Sequence, residues 1–192
     1  MSDKISSFFV ANSIIKNEDK EVYEYSLEIL LSTIFNFIAV IFIAVFTKSI
    51  LITLFYLLGF IPLRLIAGGF HATSHLKCFL VLMGSYTGYL LIVKFLPQSL
   101  VFYSTIAATS ITFILIFILA PVEDKNKPVS DDDKKSFRTK SRIAVLIYTA
   151  LITLLMFLFP ASPIAFSLSL GVFSVALSLL ATVIRNQLQK GH

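Results

Sequence analysis

The stretch from residue 143 to residue 184 contains no charged side chain and is interrupted only by Pro160 and Pro163. Each half has a length within the range of about 17–25 residues that transmembrane helices use. A soluble domain of 192 residues could not bury a chain that is 57% hydrophobic and only 14% charged. The sequence therefore predicts a protein whose solvent is a lipid bilayer.

Charges and prolines bracket four further apolar runs in the first two thirds of the chain. We predict an all-α polytopic membrane protein, with about six transmembrane helices in a single membrane domain over residues 1–192. Apolar residues at helical spacing near the N-terminus predict an amphipathic helix over residues 1–26 that lies on the membrane surface. The predicted spans lie near residues 28–47, 49–66, 79–96, 100–120, 143–159 and 164–184.

The distribution of basic residues predicts the orientation of these helices. With the N-terminus in the cytoplasm, only Lys48 and Lys94 of the 16 basic residues would face outward. This bias predicts an N-in, C-in topology, in which the loop after the second span and a charged loop over residues 121–142 face the cytoplasm. The charged loop is expected to contact anionic membrane lipid, and whether it also receives a charged substrate stays open. Since topology accounts for the basic residues, we expect no nucleic-acid partner.

The loop after the second span contains His71 and the only cysteine, Cys78. On one continuous helix these two residues would lie about 10.5 Å apart along the axis, too far for a direct hydrogen bond. However, Gly68 and Gly69 weaken a helix, and Thr73 or Ser74 is a suitable N-cap for a new one. Cys78 would then lie near the positive end of the new helix, which favours its thiolate. A thiolate beside an imidazole is the minimal unit for nucleophilic attack on a carbonyl.

Other interpretations of this loop stay open at the level of sequence. Cys78 alone could be a small packing residue in a membrane helix. His71, His75 and Cys78 are spaced to hold zinc on a straight helix, but no carboxylate is nearby and the glycines disfavour a straight helix. Ser74 suits a helix cap better than a nucleophile. We therefore expect no metal and no other cofactor.

A different class of function would be a non-catalytic membrane component, such as a small transporter or receptor. Transporters usually carry charged groups or broken helices within their spans. The predicted spans here are nearly free of charge, with Lys94 near the end of one run. The charge pattern therefore favours the nucleophilic site over a transporter.

Two segments resemble the accessory gene regulator protein B (AgrB) family: "RLIAGGFHATSHLKC" at residues 64–78 and "APVEDKNKP" at residues 120–128. The length, the number of spans and the amphipathic N-terminal region are similar to the family as well, so the resemblance covers essentially the whole chain. It implies a membrane cysteine endopeptidase of Gram-positive bacteria that processes a short propeptide into a cyclic autoinducer for quorum sensing. It also implies that the propeptide, with its acidic C-terminal tail, is encoded by a short reading frame beside this gene.

The resemblance also implies roles for individual residues. Cys78 would be the nucleophile and His71 its general base, while Arg64, Gly68 and Gly69 would shape the site. Ser74 and Lys77 are further candidates for shaping the site or binding substrate, and His75 falls outside the family pair.

The resemblance supplies no third group that orients His71. Glu28, at the inner edge of the first span, is the best candidate from position alone. Asn36 should lie deeper than the loop reaches, and Gln98 should lie at the opposite side of the membrane. Elsewhere, Gly84, Ser85 and Gly88 would permit close helix packing within one chain or in a homodimer.

Overall fold

The computed structural model of the chain describes residues 2–12, 14–68, 75–122 and 131–188. Within these residues the regular structure is helical, with a short 3-10 turn at Asn17–Asp19, so the all-α prediction is confirmed. The α-helices in chain order are α1 (Ser2–Ala11), α2 (Lys20–Phe46), α3 (Ile50–Ala67), α4 (His75–Phe95), α5 (Gln98–Leu119), α6 (Asp131–Leu158) and α7 (Pro163–Leu188).

Four helical segments among the described residues are long and apolar enough to cross a membrane. They are Ile50–Ala67, Gln98–Leu119, Lys134–Leu158 and Pro163–Leu188, and the apolar parts of α2 and α4, Ile34–Phe46 and Phe79–Phe95, are shorter. Each of these six segments overlaps one predicted span. The helices therefore indicate a membrane protein, while the number of spans and their orientation stay predictions.

Two predicted boundaries are wrong. The N-terminal helix does not extend over residues 1–26, since α1 ends at Ala11 and α2 already begins at Lys20. The charged segment 121–142 is not a loop throughout, because α6 begins at Asp131. In both cases charged residues extend a helix beyond its apolar part, and hydropathy alone cannot detect such an extension.

An ion pair joins α1 to the start of α2. The Lys20 Nζ atom lies 3.0 Å from an Asp3 carboxylate oxygen, and this contact lowers the pKa of Asp3 below its usual value. Both side chains are partly accessible to solvent, so the pair orients α1 without adding much stability.

The core of the bundle is the contact between α3 and α7. Of the candidate spans, α7 is the most buried. Two glycines allow the backbones to approach closely. A Cβ atom added at Gly59 would lie 2.7 Å from the carbonyl oxygen of Leu168, and one added at Gly171 would overlap the carbonyl oxygen of Tyr56. Lipid supplies no hydrophobic force between helices, so close van der Waals packing of this kind is what holds them together.

Buried hydroxyl groups attach α4 to this core. Tyr56 of α3 donates a hydrogen bond to Ser174 of α7, and Tyr89 of α4 donates to Ser167 of α7. The rings of Tyr56 and Tyr89 stack with their centroids 4.2 Å apart. These bonds and the stack determine the position of α4 along α7, and therefore the depth at which α4 begins.

Candidate active site

The two segments that carry the family resemblance meet at one end of the bundle. The Val122 N–H donates a hydrogen bond to the Ala67 carbonyl over 3.3 Å, and residues 68 and 122 form an isolated parallel bridge. Ala67 ends α3 and Val122 follows α5, so the contact joins the ends of two helices that both pack against α7. We call this the Arg64 end of the bundle, where α3, α5 and α7 end and α2, α4 and α6 begin.

Gly68 has a backbone conformation that other residues rarely adopt, with φ +79° and ψ −146°. Its N–H donates the last helical hydrogen bond of α3, to the Arg64 carbonyl. A Cβ atom at this position would lie 2.6 Å from the Val122 carbonyl oxygen. Both the dihedral angles and the close approach therefore require glycine here.

We expect Gly68→Ala to separate the Arg64 end of α3 from Val122. The positive φ and the Val122 carbonyl together should cost about 1–3 kcal/mol, which corresponds to a fall of about 2–4 °C in the thermal midpoint per kcal/mol. Amide hydrogen exchange at Val122 should increase, since its bond to Ala67 is lost. Gly88→Ala is the matched control, because no atom lies within 4 Å of a Cβ added there. Slow exchange at Val122 in the Gly68 variant would contradict this account.

Arg64 is held in place by two contacts near the end of α3. Its Nη1 atom donates to Ser178 Oγ of α7 over 3.1 Å, and its guanidinium carbon lies 5.5 Å from the centre of the Phe60 ring. Arg64 makes further interactions beyond these two. The guanidinium is thus a cation of defined position at the edge of the apolar bundle, a place where charge is costly unless it is paired.

Helix register places the start of α4 at the depth of Arg64. Tyr89 bonds Ser167, and α4 and α7 run in opposite directions. Cys78 lies eleven residues before Tyr89 on α4, and Ser178 lies eleven residues after Ser167 on α7. Ser178 is the residue that binds Arg64. The backbone of residue 78 therefore lies at about the same level as the Arg64 guanidinium.

Cys78 lies in the first turn of α4, as the N-cap candidates Thr73 and Ser74 predicted, because this helix begins at His75. A helix N-terminus carries the equivalent of about half a positive charge, which lowers the free energy of a nearby thiolate. Helix α4 therefore supplies part of the electrostatic environment that a nucleophilic cysteine needs.

For several predicted site residues, the structure does not describe the backbone or the side chain. Gly69, His71 and Ser74 lie outside the described residues, as do the side chains of Glu28, His75, Lys77 and Cys78. The distance between the His71 imidazole and the Cys78 thiol therefore stays a prediction, and so does the choice between a catalytic pair and a zinc site.

The structure describes two of the groups considered for orienting His71. Gln98 donates to the Ala161 carbonyl at the end of the bundle opposite to Arg64. This position agrees with the expectation that Gln98 lies on the other side from the loop with His71. The depth of Asn36 relative to the loop with His71 stays a prediction, since that loop lies outside the described residues. The ring of Phe35, the neighbour of Asn36, contacts Phe79, the residue after Cys78, with centroids 5.6 Å apart.

A cavity of about 480 Å³ opens beside Val122 at the Arg64 end. Lys134, Lys135 and Arg138 from the first turns of α6 line it, together with apolar residues and Asn186. Its cationic wall suits an anionic group such as a carboxylate. The cavity contains the basic residues of the segment that was predicted to be a loop.

The sequence interpretation missed Ser178 as the partner of Arg64. The spacing of Ser167, Ser174 and Ser178 could have indicated this partner, because it puts the three serines on one face of a helix together with Gly171. All three serines face α3 or α4, where Tyr89, Tyr56 and Arg64 bind them.

These features define an all-helical membrane protein with a cationic site at one end of its bundle. The family model for Accessory gene regulator B matches residues 2–181, nearly the whole chain. The chain belongs to this family, as the two quoted segments predicted.

Individual relatives agree with this assignment. An AgrB-like protein of Listeria innocua is 28% identical over 163 residues, which cover 82% of this chain and 78% of the relative. An AgrB-like protein 2 of Clostridium perfringens is 28% identical over 168 residues, covering 81% and 78% respectively. No solved structure matches the chain.

Proposed function

We propose that this protein is a membrane cysteine endopeptidase that removes the acidic C-terminal tail of a short propeptide and promotes its cyclisation to a quorum-sensing autoinducer. The observation that carries the proposal is the meeting of three elements at the Arg64 end. These elements are the glycine junction with Val122, the Arg64–Ser178 pair and the first turn of α4, which contains the only cysteine. Membership of the AgrB family supports the same role.

In the proposed mechanism, His71 takes the proton of the Cys78 thiol, and the thiolate attacks a peptide carbonyl before the acidic tail. The C–N bond breaks, the tail leaves with the proton from His71, and the rest of the propeptide stays on Cys78 as a thioester. An internal cysteine or serine of the propeptide then attacks this thioester. It passes its proton through His71 back to the Cys78 sulfur, and a thiolactone or lactone ring closes.

Exclusion of water is essential for this outcome. Exchange of one thioester for another releases little free energy, so hydrolysis would win if water reached the acyl-enzyme first. A site at the membrane boundary, flanked by apolar helices and lipid, would limit that access.

Charge complementarity supports an acidic tail as the leaving fragment. Lys134, Lys135 and Arg138 line a cavity beside Val122, where carboxylates would find charge-assisted hydrogen bonds. The positive-inside distribution favours a position of this end, and of the propeptide, at the cytoplasmic leaflet of the plasma membrane. The matched relatives come from Listeria and Clostridium, in agreement with a Gram-positive host.

The acyl-enzyme is the species that tests the proposal. In lipid nanodiscs, the protein is mixed with a synthetic propeptide whose internal nucleophile is replaced by alanine, so that the ring cannot close. We expect the intact mass to rise by that of the propeptide without its tail, with the adduct on Cys78 and released by neutral hydroxylamine. The Cys78→Ser variant should form no hydroxylamine-labile thioester. Processing by an enzyme that never carries an adduct would refute the proposal.

A chelator experiment separates this mechanism from the zinc alternative. Excess chelator should leave the rate of adduct formation unchanged, because neither the thiolate nor the imidazole requires a metal. A loss of activity that added zinc restores would instead favour a site built from His71, His75 and Cys78.

A further inference from the structure

Asn36 is a buried polar residue on α2, a helix that leaves many of its large apolar side chains exposed. The residue is 7% exposed, whereas its neighbours Phe35, Phe37 and Ile38 are exposed. Asn36 shares its helix face with Val40 and Ala44, which are buried in the bundle. The carboxamide therefore points away from lipid and into the protein.

The carboxamide oxygen of Asn36 has no hydrogen-bond partner among the described residues, although no solvent reaches it. Burying an acceptor without a donor costs free energy, and more so in an apolar medium where no water can replace the missing bond. Buried polar groups without partners are rare in native proteins, and those that persist require an explanation. A hydrogen-bond donor that arrives from outside the chain would supply one.

The position of Asn36 indicates which donor this is. Helices α2 and α4 run in the same direction because α3 returns between them, and Phe35 contacts Phe79 directly. Asn36 and Cys78 are thus each one residue away from a ring contact that joins their helices. An acceptor on α2, one residue from a contact with the first turns of α4, is within reach of the backbone of a peptide that lies between these two helices.

The packing of α2 permits such a peptide to enter. Its contacts with α3 and α4 are sparse compared with the close packing of α3 against α7, where glycines bring the backbones together. A propeptide that approaches along the membrane would meet α2 as the least tightly held wall of the site. Its backbone N–H groups are unsatisfied in an apolar medium unless the protein supplies acceptors.

We propose that the Asn36 carboxamide oxygen accepts a hydrogen bond from a backbone N–H of the propeptide next to the bond that is cleaved. Asn36 would then be a substrate-binding residue on α2. The inference rests on the proposed function, since it takes the propeptide to be the ligand.

Peptide binding without turnover tests this role independently of catalysis. The probe is the synthetic propeptide of the neighbouring reading frame, and the protein is the Cys78→Ala variant in lipid nanodiscs. In this background we expect Asn36→Leu to raise the Kd about 5- to 10-fold, the effect of one lost hydrogen bond. The thermal midpoint should not fall, because leucine removes an unpaired polar atom from an apolar site.

Thr109→Val is the matched control. Thr109 is a second buried residue whose side-chain oxygen lacks a partner among the described residues, but it lies on α5 and faces a cavity between α5 and α6. Its replacement removes an unpaired buried oxygen in the same way, so the Kd should stay unchanged. A Kd that is equally unchanged in the Asn36→Leu variant would overturn the inference.

N-methylated propeptides identify the donor. Methylation of the N–H that binds Asn36 should weaken binding to the Asn36 form, yet add nothing further in the Asn36→Leu variant. If every N-methyl position near the cleaved bond has the same effect in both forms, Asn36 does not bind the peptide backbone. If the Cys78→Ala parent still cleaves the propeptide, the proposed catalytic function fails instead, while the binding data still decide the role of Asn36.

Discussion

Replacement of Cys78 by alanine should lower the rate of propeptide processing by a factor on the order of 10⁴ or more, because the only thiol in the chain is lost. No other side chain can form a thioester. The measurement is release of the acidic tail from synthetic propeptide by protein in lipid nanodiscs, followed by mass spectrometry. The thermal midpoint should change little, since alanine is a favourable residue in the first turn of α4.

The control for this prediction is Ser85→Ala on the same helix. Ser85 donates to the carbonyl of Leu82, one turn back in α4, and interacts with the Tyr56 hydroxyl in the core of the bundle. It lies two turns of α4 away from Cys78, so its loss should leave the processing rate within a factor of about 2. Processing that survives in the Cys78→Ala variant would remove the thiol from the mechanism. The non-catalytic class of membrane component would then be the better interpretation.

Replacement of Gly171 by leucine should prevent the bundle from assembling. A side chain at this position must occupy the space of the Tyr56 backbone, and neither helix can move away without breaking the α3–α7 contact. The smaller change Gly171→Ala should already cost about 1–3 kcal/mol, or about 2–4 °C in the thermal midpoint per kcal/mol. Helical circular dichroism during heating in lipid nanodiscs measures both variants.

Gly84→Ala provides the comparison, since a Cβ added there has no atom within 4 Å. We expect a change within about 0.5 kcal/mol, because the glycine is not required for packing within this chain. Equal stability losses in the Gly84 and Gly171 variants would show that both effects arise from altered helix propensity rather than from close helix contact.

The site was only partly predictable from sequence. The position of Cys78 at the start of a helix followed from the glycines before it and the cap residues Thr73 and Ser74, which act locally. The depth of Asn36 was judged from its distance along the chain to the end of a span, and that distance does not report which helix lies next to it. The contact between Phe35 and Phe79 depends on how α2 packs against α4, and no local pattern reports that.

The glycines illustrate the same limit. Gly84 and Gly88 have the four-residue spacing of close helix contacts, yet a Cβ added at either one has no atom within 4 Å. The close contacts are instead at Gly59 and Gly171, which belong to different helices and have no shared pattern. A glycine is needed where two backbones meet, and the meeting point is a property of both helices together.

The sequence by itself determined the helical class, the apolar segments and the family, because hydropathy, helix breaks and short motifs are properties of single segments. Only the tertiary structure decided that Arg64 binds Ser178, that Val122 bonds Ala67 and that Phe35 of α2 contacts Phe79 near the start of α4. Lipid solvates any apolar helix face almost equally, so hydropathy cannot select which faces pack together. That selection depends on the fit of side chains and backbones from distant segments, and it exists only once the bundle has assembled.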